Sequence, residues 1–280
     1  MFTSFEEITD NYDVIFFDAF GVLKSYSGVF DGVHELLFRL KKRGKEIFVL
    51  TNDSSRSPAL MARAYSHPQY GELVPSSRII PSGLLAADFL MTKVRTGNVA
   101  YLGKQEAAYY VELAGLTPIP LVDCEDEHAP KALALLDDEG FDWFTCINKA
   151  INMVRRLNVP VIVANADTAY PVKGNEVAVA VGGLADVMEG VLRKSFIRFG
   201  KPDPMMFAYA YSQVLARKPD CSKRKILMVG DTLRTDILGA NKFGLDTALV
   251  LTGTITPEHA EIQIQATGIV PDFVCESVLT

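Results

Sequence analysis

Polar side chains stand directly after three apolar runs that are typical of buried strands. Asp18 follows the first run, Thr51 and Asn52 follow the second, and Asp231 follows the third, with Asp236 close behind. Because ligands of open α/β sheets sit outside the carboxyl ends of the strands, we expect these side chains to converge. Carboxylates brought together in this way form the oxygen-rich environment that Mg²⁺ prefers. The sequence therefore predicts a Mg²⁺ site at Asp18, Asp231 and Asp236.

A simpler role exists for each aspartate alone, because an aspartate between a strand and a helix often caps the helix. The convergence of all of them on neighbouring strand ends favours the metal site. Lys201 adds a fixed positive charge just before a helix that Pro204 can start. Beside Asp18, this charge would neutralise a bound phosphate and reduce the repulsion between the carboxylates.

The elements that must position these residues alternate between strand and helix. The strand Val14–Phe17, a helix at 32–43 and a strand at 47–50 form one β-α-β unit, whose right-handed crossover makes the strands parallel. The alternation returns downstream with strands at 225–229 and 247–251. These segments predict a parallel sheet with helices on both faces.

Between these halves, the same alternation runs in less charged segments. In chain order they are a strand at 99–102, a helix at 107–114, a strand at 143–147, a helix at 149–157 and a strand at 161–164. We therefore predict an α/β protein with a Rossmann-like parallel-sheet core and an inserted α/β cap domain. The predicted core comprises residues 1–81 and 187–280, and the predicted cap comprises residues 82–186.

Composition and charge exclude several classes of protein. The 280 residues suffice for about 1.9 domains of typical size, and 49% hydrophobic with 22% charged residues excludes a disordered chain. The net charge of -6 gives no attraction for nucleic acid or anionic lipid. No segment reaches the roughly 18 apolar residues of a membrane span. The four scattered cysteines fit a reduced, cytoplasmic setting. We expect neither a nucleic-acid nor a membrane partner.

Four motifs occur in the order found in the haloacid dehalogenase-like (HAD) hydrolases, and the chain resembles that family over its whole length. The segments are Asp18-Ala19-Phe20-Gly21-Val22-Leu23, the strand end at Thr51-Asn52, Gly200-Lys201-Pro202-Asp203, and Gly230-Asp231-Thr232 through Asp236. The longer match at residues 50–57 and the α/β insertion between the second and third motifs are similar to the NagD-like branch. That branch is subfamily IIA, with an α/β (type C2) cap.

The resemblance implies a phosphatase in which Asp18 attacks phosphorus and becomes a transient aspartyl phosphate. Covalent catalysis of this kind splits one displacement into two easier steps. The resemblance also implies that Mg²⁺ is held by Asp18, Asp231 and the backbone carbonyl of Phe20, with Asp236 holding metal-bound water. Thr51 and Lys201 are the further catalytic residues that it implies.

The substrate that the resemblance implies is a small phosphorylated metabolite of the nucleotide or sugar phosphate class. The residues predicted to contact it or its phosphate are Phe20, Gly21, Thr51, Asn52, Lys201, Asn165 and Asp167. The segment Asn165-Ala166-Asp167 is similar to a cap loop that usually reads Asn-Pro-Asp, from which Ala166 departs. Caps of this type often mediate dimers as well, so a homodimer is a further expectation.

Phe20 occupies the position where phosphatases of this family usually carry an acid/base aspartate. An aromatic ring transfers no proton, and such assistance contributes about 10²–10⁴ in rate. Three hypotheses stay open: a weakened or specialised phosphatase, a haloacid dehalogenase-like hydrolase whose halide leaves without a proton, and a non-catalytic or regulatory phosphate-binding protein. Asp231 and Asp236 favour the first, since the dehalogenases work without Mg²⁺.

Overall fold

The strand Val14–Phe17 lies inside a six-stranded parallel sheet, which we call the first sheet. All four of its side chains are buried, as expected for a strand that helices cover on both faces. The structure is a computed structural model, which describes residues 4–172 and 176–280. In spatial order, the strands of the first sheet are Phe273–Cys275, Asp246–Val250, Ile226–Gly230, Val14–Phe17, Glu46–Thr51 and Ile79–Pro81.

A second parallel sheet is formed by the middle of the chain. In spatial order, its strands are Ile197–Arg198, Val161–Val163, Ala132–Leu135, Asn98–Leu102 and Thr117–Pro120. Three two-stranded pairs complete the described strands: Lys24–Ser25 with Gly28–Val29, Ser66–His67 with Gly71–Glu72, and Ala169–Pro171 with Val177–Val179. The predicted α/β class, with a Rossmann-like parallel core and further α/β structure inserted into it, is confirmed.

Most helices lie between successive strands of the two parallel sheets. The α-helices of the described residues are Phe5–Thr9, Val33–Lys42, Pro58–Ala62, Gly83–Phe89, Tyr109–Leu113, Trp143–Leu157, Val181–Leu192, Pro204–Leu215, Leu238–Phe243 and Ala260–Thr267. Each is short enough to span one crossover. Within the described part of the chain, no helix has the length and apolar character needed to cross a bilayer.

The strand predicted at 143–147 is wrong, because these residues begin the helix Trp143–Leu157. Asp142 caps this helix by accepting a hydrogen bond from the Thr145 amide at 2.8 Å. Its buried residues follow helical spacing, while Phe144 is 83% exposed. The strand of this region is Ala132–Leu135, which is buried throughout. The prediction mistook the first turn of an amphipathic helix for a short apolar strand.

The two sheets share one hydrophobic cluster. Phe16 and Phe48 of the first sheet belong to the same cluster as Tyr101 and Ala134 of the second sheet. Tyr110 also belongs to this cluster, and its hydroxyl donates to the backbone carbonyl of Arg56 at 2.6 Å. Apolar packing therefore fixes the second sheet against the first on one side, and a polar cavity opens on the other.

The division into core and cap stays a proposal, and sheet membership refines its second boundary. The proposed boundary at residue 187 falls inside the helix Val181–Leu192, whose buried side pairs with the second sheet's cluster. Ile197–Arg198 then adds a strand to the second sheet by pairing with Val161–Val163. By this criterion, the chain returns to the core after Arg198.

Candidate active site

Three carboxylates lie together at the carboxyl ends of two neighbouring strands. Asp18 directly follows Val14–Phe17, and Asp231 directly follows Ile226–Gly230. Oxygens of Asp18, Asp231 and Asp236 lie within 4.8 Å of one another. The convergence expected from the strand ends is therefore present, and three oxygen ligands of this kind suit a hard divalent cation.

Lys201 supplies the positive charge beside this cluster. Its ammonium nitrogen lies 2.7 Å from Oδ1 of Asp18 and 2.6 Å from Oδ1 of Asp236, and it donates to the carbonyl of Leu50 at 3.0 Å. Lys201 is only 1% exposed. Burial alone would lower the pKa of Lys201, but the charges of Asp18 and Asp236 hold it above its ordinary value. The side chain is therefore a permanent cation.

Backbone amides orient the other two carboxylates. Oδ2 of Asp231 accepts from the Thr254 amide at 2.6 Å, and Oδ2 of Asp236 accepts from the Thr232 amide at 3.1 Å. Burial and the nearby charge of Asp18 raise the pKa of Asp231 to about 6. Gly21 makes room for Asp231, because a Cβ at Gly21 would lie 2.5 Å from Oδ2 of that carboxylate. Glycine at residue 21 thus leaves space for the carboxylate of Asp231.

Asn52 links three parts of the site and is itself buried. Its Oδ1 accepts from the Lys201 amide at 2.7 Å, and its Nδ2 donates to the Lys201 carbonyl at 2.9 Å. The same Nδ2 donates to Oδ1 of Asp167 at 2.9 Å. With both ends of its amide used in this way, Asn52 is a positioning residue for Lys201 and for the loop that carries Asp167.

The residues predicted to contact phosphate differ in whether their hydrogen-bond donors are free to bind an anion. Thr51 is buried at its strand end, where its hydroxyl accepts from the Asp53 amide at 3.2 Å and keeps its proton free to donate. The Gly21 amide donates to the carbonyl of Lys24 at 2.8 Å. A phosphate oxygen would have to displace that bond, so Thr51 is the better donor of the two.

A cavity of about 460 Å³ opens in front of Asp18. Predicted site residues in its wall are Asp18, Phe20, Thr51, Asn165 and Asp167. Predicted site residues outside the wall are Gly21, Asn52, Lys201, Asp231 and Asp236. The volume falls within the range of about 300–1,000 Å³ that is typical of small-molecule sites.

Comparison with known proteins identifies this arrangement. The family model described as haloacid dehalogenase-like hydrolase matches residues 15–117, and the one described as HAD-hydrolase-like matches residues 198–279. A crystal structure from Cytophaga hutchinsonii, described as a possible sugar phosphatase of the HAD superfamily, is 46% identical, with a TM-score of 0.93 over 100% of this chain and 99% of that one. The chain belongs to the haloacid dehalogenase-like hydrolases.

Further relatives of this haloacid dehalogenase-like hydrolase narrow the assignment. NagD from Escherichia coli K-12 is 25% identical, with a TM-score of 0.73 over 96% of this chain and 98% of that one. Glycerol-3-phosphate phosphatase of Gallus gallus is 28% identical over 96% of this chain and 90% of its own length. The protein is a NagD-like member of subfamily IIA, and it is a hydrolase of the phosphatase type.

Phe20 sits in the cavity wall of this haloacid dehalogenase-like hydrolase between two partners. The ammonium of Lys24 lies 4.0 Å from the centre of the Phe20 ring, a cation–π distance. The ring of Tyr170 lies 6.4 Å from that of Phe20, centre to centre. Lys24 also approaches Asp53 at 3.6 Å. Phe20 is therefore packed as part of the substrate wall.

Sequence reasoning missed six charged residues that line the cavity: Lys24, Asp53, Lys104, Asp137, Asp138 and Glu139. Asp137 and Asp138 lie just past the buried strand Ala132–Leu135. The same signal, an apolar run ending in a carboxylate, identified Asp18. It would have identified Asp137 too, had the strand of this segment been assigned at 132–135.

Proposed function

We propose that this protein is a Mg²⁺-dependent phosphatase that hydrolyses a small phosphorylated metabolite through an aspartyl phosphate on Asp18. The observation that carries the proposal is the position of Asp18, which faces the cavity while its Oδ1 is held at 2.7 Å by both Lys201 and the Ala19 amide. A carboxylate fixed in this way can attack without first reorganising. The proposed substrates are of the nucleotide or sugar phosphate class.

The donor set fits Mg²⁺, which phosphatases of this family generally use. Asp18, Asp231 and the carbonyl of Phe20 would hold the ion, with Asp236 acting through water, and all of these donors are oxygen. When bound, the cation would offset the negative charge shared by the nucleophile and the phosphate. Burial and the nearby charge of Asp18 raise the pKa of Asp231, and a bound cation would offset that charge.

The reaction proposed for Asp18 has two displacements. A carboxylate oxygen of Asp18 forms a bond to phosphorus while the ester P–O bond breaks, and the leaving alcohol oxygen keeps the electron pair. Water then attacks phosphorus, releasing inorganic phosphate and restoring the carboxylate. Lys201 balances the charge of Asp18 throughout, and Thr51 donates a hydrogen bond to a phosphate oxygen.

Phe20 determines which leaving groups this protein handles well. The leaving oxygen must take its proton from water, since no acid stands at residue 20. General acid catalysis, which this site lacks at residue 20, accelerates the departure of a poor leaving group by about 10²–10⁴-fold and that of a good one much less. We therefore propose a phosphatase that is specialised for activated esters or slow on ordinary ones.

A substrate panel tests the proposal. The purified full chain is assayed on an aryl phosphate, an alkyl phosphate and a 2-haloacid, each with Mg²⁺ and with a chelator. We expect Mg²⁺-dependent cleavage of the aryl phosphate, slower cleavage of the alkyl phosphate, no halide release, and no turnover by Asp18→Asn protein. Asp220→Asn, which changes an exposed aspartate outside the cavity wall, is the matched control and retains turnover.

Two other outcomes would replace the phosphatase by another activity. Halide release without Mg²⁺ would establish the dehalogenase-like hydrolase, for which Phe20 is the favourable observation. Tight phosphate binding without any turnover would establish a phosphate-binding protein. The homodimer stays a prediction of the family resemblance, which sedimentation equilibrium of the full chain can test.

A further inference from the structure

The second sheet also points the carboxyl ends of its strands at the cavity. Lys104 follows the strand Asn98–Leu102, and Asp137 follows the strand Ala132–Leu135; both side chains line the cavity wall. The cavity is thus enclosed by the strand ends of two sheets, and such ends are where α/β proteins bind ligands. The proposed nucleophile Asp18 follows a strand of the first sheet. Residues after the strands of the second sheet are therefore available to contact the rest of the substrate, the leaving alcohol.

Asp137 has an acceptor that the protein does not use. Only 7% of the residue is exposed. Its Oδ2 accepts no hydrogen bond from any residue within 4–172 and 176–280. A buried carboxylate oxygen without a donor is destabilising. Proteins keep such groups where a ligand completes them, and this one lines the cavity.

The neighbouring carboxylates of the cavity wall already have partners. Asp53 approaches Lys24 at 3.6 Å, and Glu139 forms an ion pair with Lys104. Asp138 accepts from the hydroxyl of Tyr170 at 3.0 Å. Asp137 itself forms no ion pair among the described residues, although the nearby charge of Lys104 partly offsets its negative charge.

We infer that Asp137 determines specificity by accepting a hydrogen bond from a hydroxyl or ammonium group of the leaving alcohol. The inference rests on the proposed phosphatase function and names its substrate class: phosphate esters of polyhydroxylated or amino-substituted alcohols. Esters of hydroxy acids are rejected, because their carboxylate would be forced against Asp137 and would leave the acceptor unfilled.

The ionisation of Asp137 agrees with this role. Burial, followed by the charge of Asp138, raises the pKa of Asp137 to about 6. Near pH 7.5 the group is therefore mostly ionised, and an ionised carboxylate only accepts hydrogen bonds. A donor from the substrate would form a charge-assisted bond, which is roughly twice as strong as a neutral one.

Three sugar esters and one reference substrate test the inference. Glucose 6-phosphate presents hydroxyls, glucosamine 6-phosphate adds an ammonium, 6-phosphogluconate adds a carboxylate, and 4-nitrophenyl phosphate lacks these groups. We expect kcat/KM for the first two to exceed that for 6-phosphogluconate by about tenfold or more. In Asp137→Asn protein, their kcat/KM relative to 4-nitrophenyl phosphate falls by about tenfold or more. The ratio of the first two tells whether the donor is a hydroxyl or an ammonium.

The matched control is Asp220→Asn, which changes an exposed aspartate outside the cavity wall. We expect its selectivity among the four esters to equal that of the unmodified protein. An equal fall for all four esters in Asp137→Asn protein would show a structural role and overturn the inference. Unchanged selectivity would overturn it as well.

A binding measurement separates this inference from the proposed function. Calorimetric titration of Asp18→Asn protein with the same sugar esters reads their discrimination without turnover, both with and without Asp137→Asn. If the unmodified protein cleaves no ester but the binding preference depends on Asp137, the catalytic proposal fails and this inference stands. Equal binding of all three sugar esters would overturn the inference whatever the turnover.

Discussion

The ammonium of Lys201 lies 2.7 Å from Oδ1 of Asp18, and Lys201 is almost completely buried. The same ammonium contacts Asp236 at 2.6 Å, so one cation pairs with two carboxylates. Buried charges of this kind are stabilising only when they are paired, because each unpaired charge would carry a large desolvation cost. Charge balance in this site is therefore a matter of folding as well as catalysis.

Replacing Lys201 by methionine should destabilise the fold. The substitution keeps the length of the side chain but leaves Asp18 and Asp236 without their counter-charge. We expect the free energy of unfolding near pH 7.5 to fall by about 3–5 kcal/mol, the usual cost of breaking a buried pair. Urea denaturation of the full chain without added metal measures it.

Lys218→Met is the matched control for that experiment. Lys218 lies 3.9 Å from Glu46 with more than a third of its side chain exposed, so its loss should cost no more than about 1 kcal/mol. An equal, small effect of both substitutions would mean that Lys201 does not balance the site. At acid pH the defect of Lys201→Met should shrink, because the carboxylates can then take up protons.

Mg²⁺ should stabilise the protein through Asp231. Ligand bound only to the native state adds about 2.7 kcal/mol at 100 times its dissociation constant. We expect Mg²⁺ to raise the Tm of the unmodified protein and to have little effect on Asp231→Asn protein. The substitution also removes a crowded buried charge, so the variant without metal should melt no lower than the unmodified protein.

Calorimetric melting curves with Mg²⁺ and with a chelator measure both effects. Glu258→Gln changes an exposed carboxylate and serves as the control, which should respond to Mg²⁺ like the unmodified protein. A full response to Mg²⁺ in Asp231→Asn protein would contradict the proposed metal site.

Restoring an acid at residue 20 should accelerate the slow substrates. We expect Phe20→Asp to raise kcat on an alkyl phosphate by at least about tenfold, the low end of what general acid–base assistance contributes, and to change the aryl phosphate less. Lys24 lies against this position and would lower the pKa of a new carboxyl group. Adding Lys24→Met should therefore increase the gain.

Phe20→Leu is the control, because it opens the wall without adding an acid. Steady-state kinetics on both esters, with Mg²⁺ present, compare the variants. If Phe20→Leu matches Phe20→Asp, the gain comes from space; if neither gains, the Phe20 ring has a positive role in binding substrate.

Most of the phosphate end of the site could be predicted from local sequence. Asp18 and Asp231 directly follow apolar runs, and the parallel pairing of those runs brings the two carboxylates together. Such a pattern depends only on strand direction and on where each strand ends. For the same reason, the core sheet was predictable in outline, although its edge strands Ile79–Pro81 and Phe273–Cys275 were missed because they are short.

The substrate end depended on contacts that sequence does not reveal. Backbone amides near Asn52 were predicted to bind phosphate, and this stays a prediction. The sequence did not reveal that the side-chain amide of Asn52 links Lys201 with Asp167, which lies 115 residues away along the chain. Asp137 was hidden because the strand before it was assigned to the wrong segment. Pairing across such distances is set by tertiary packing, which local periodicity cannot specify.

Asp137 should contribute less to the stability of the unmodified protein at neutral pH than at acid pH. Its folded pKa of about 6 exceeds its ordinary value of 3.8, so between these values the native state holds a proton that the unfolded chain releases. The stability that this proton brings is present below about pH 4 and is lost as pH rises through 6. The groups that set the shift besides burial are Asp138, Lys104, Asp53 and Glu139.

Asp137→Asn should abolish that loss, since an amide does not titrate. Relative to the unmodified protein, we expect the variant to gain about 2–3 kcal/mol of unfolding free energy between pH 4 and pH 7.5, from a shift of about two pKa units. Urea denaturation without metal at several pH values measures the difference. Asp137→Ser also lacks the charge but differs in shape. Its free energy of unfolding should differ from that of Asp137→Asn by an amount that does not depend on pH, so both variants should show the same pH-dependent gain. If the difference in unfolding free energy between the variants and the unmodified protein does not vary with pH, Asp137 is not a buried, unpaired acid. Its proposed role in substrate selection, which depends on that property, would then fail.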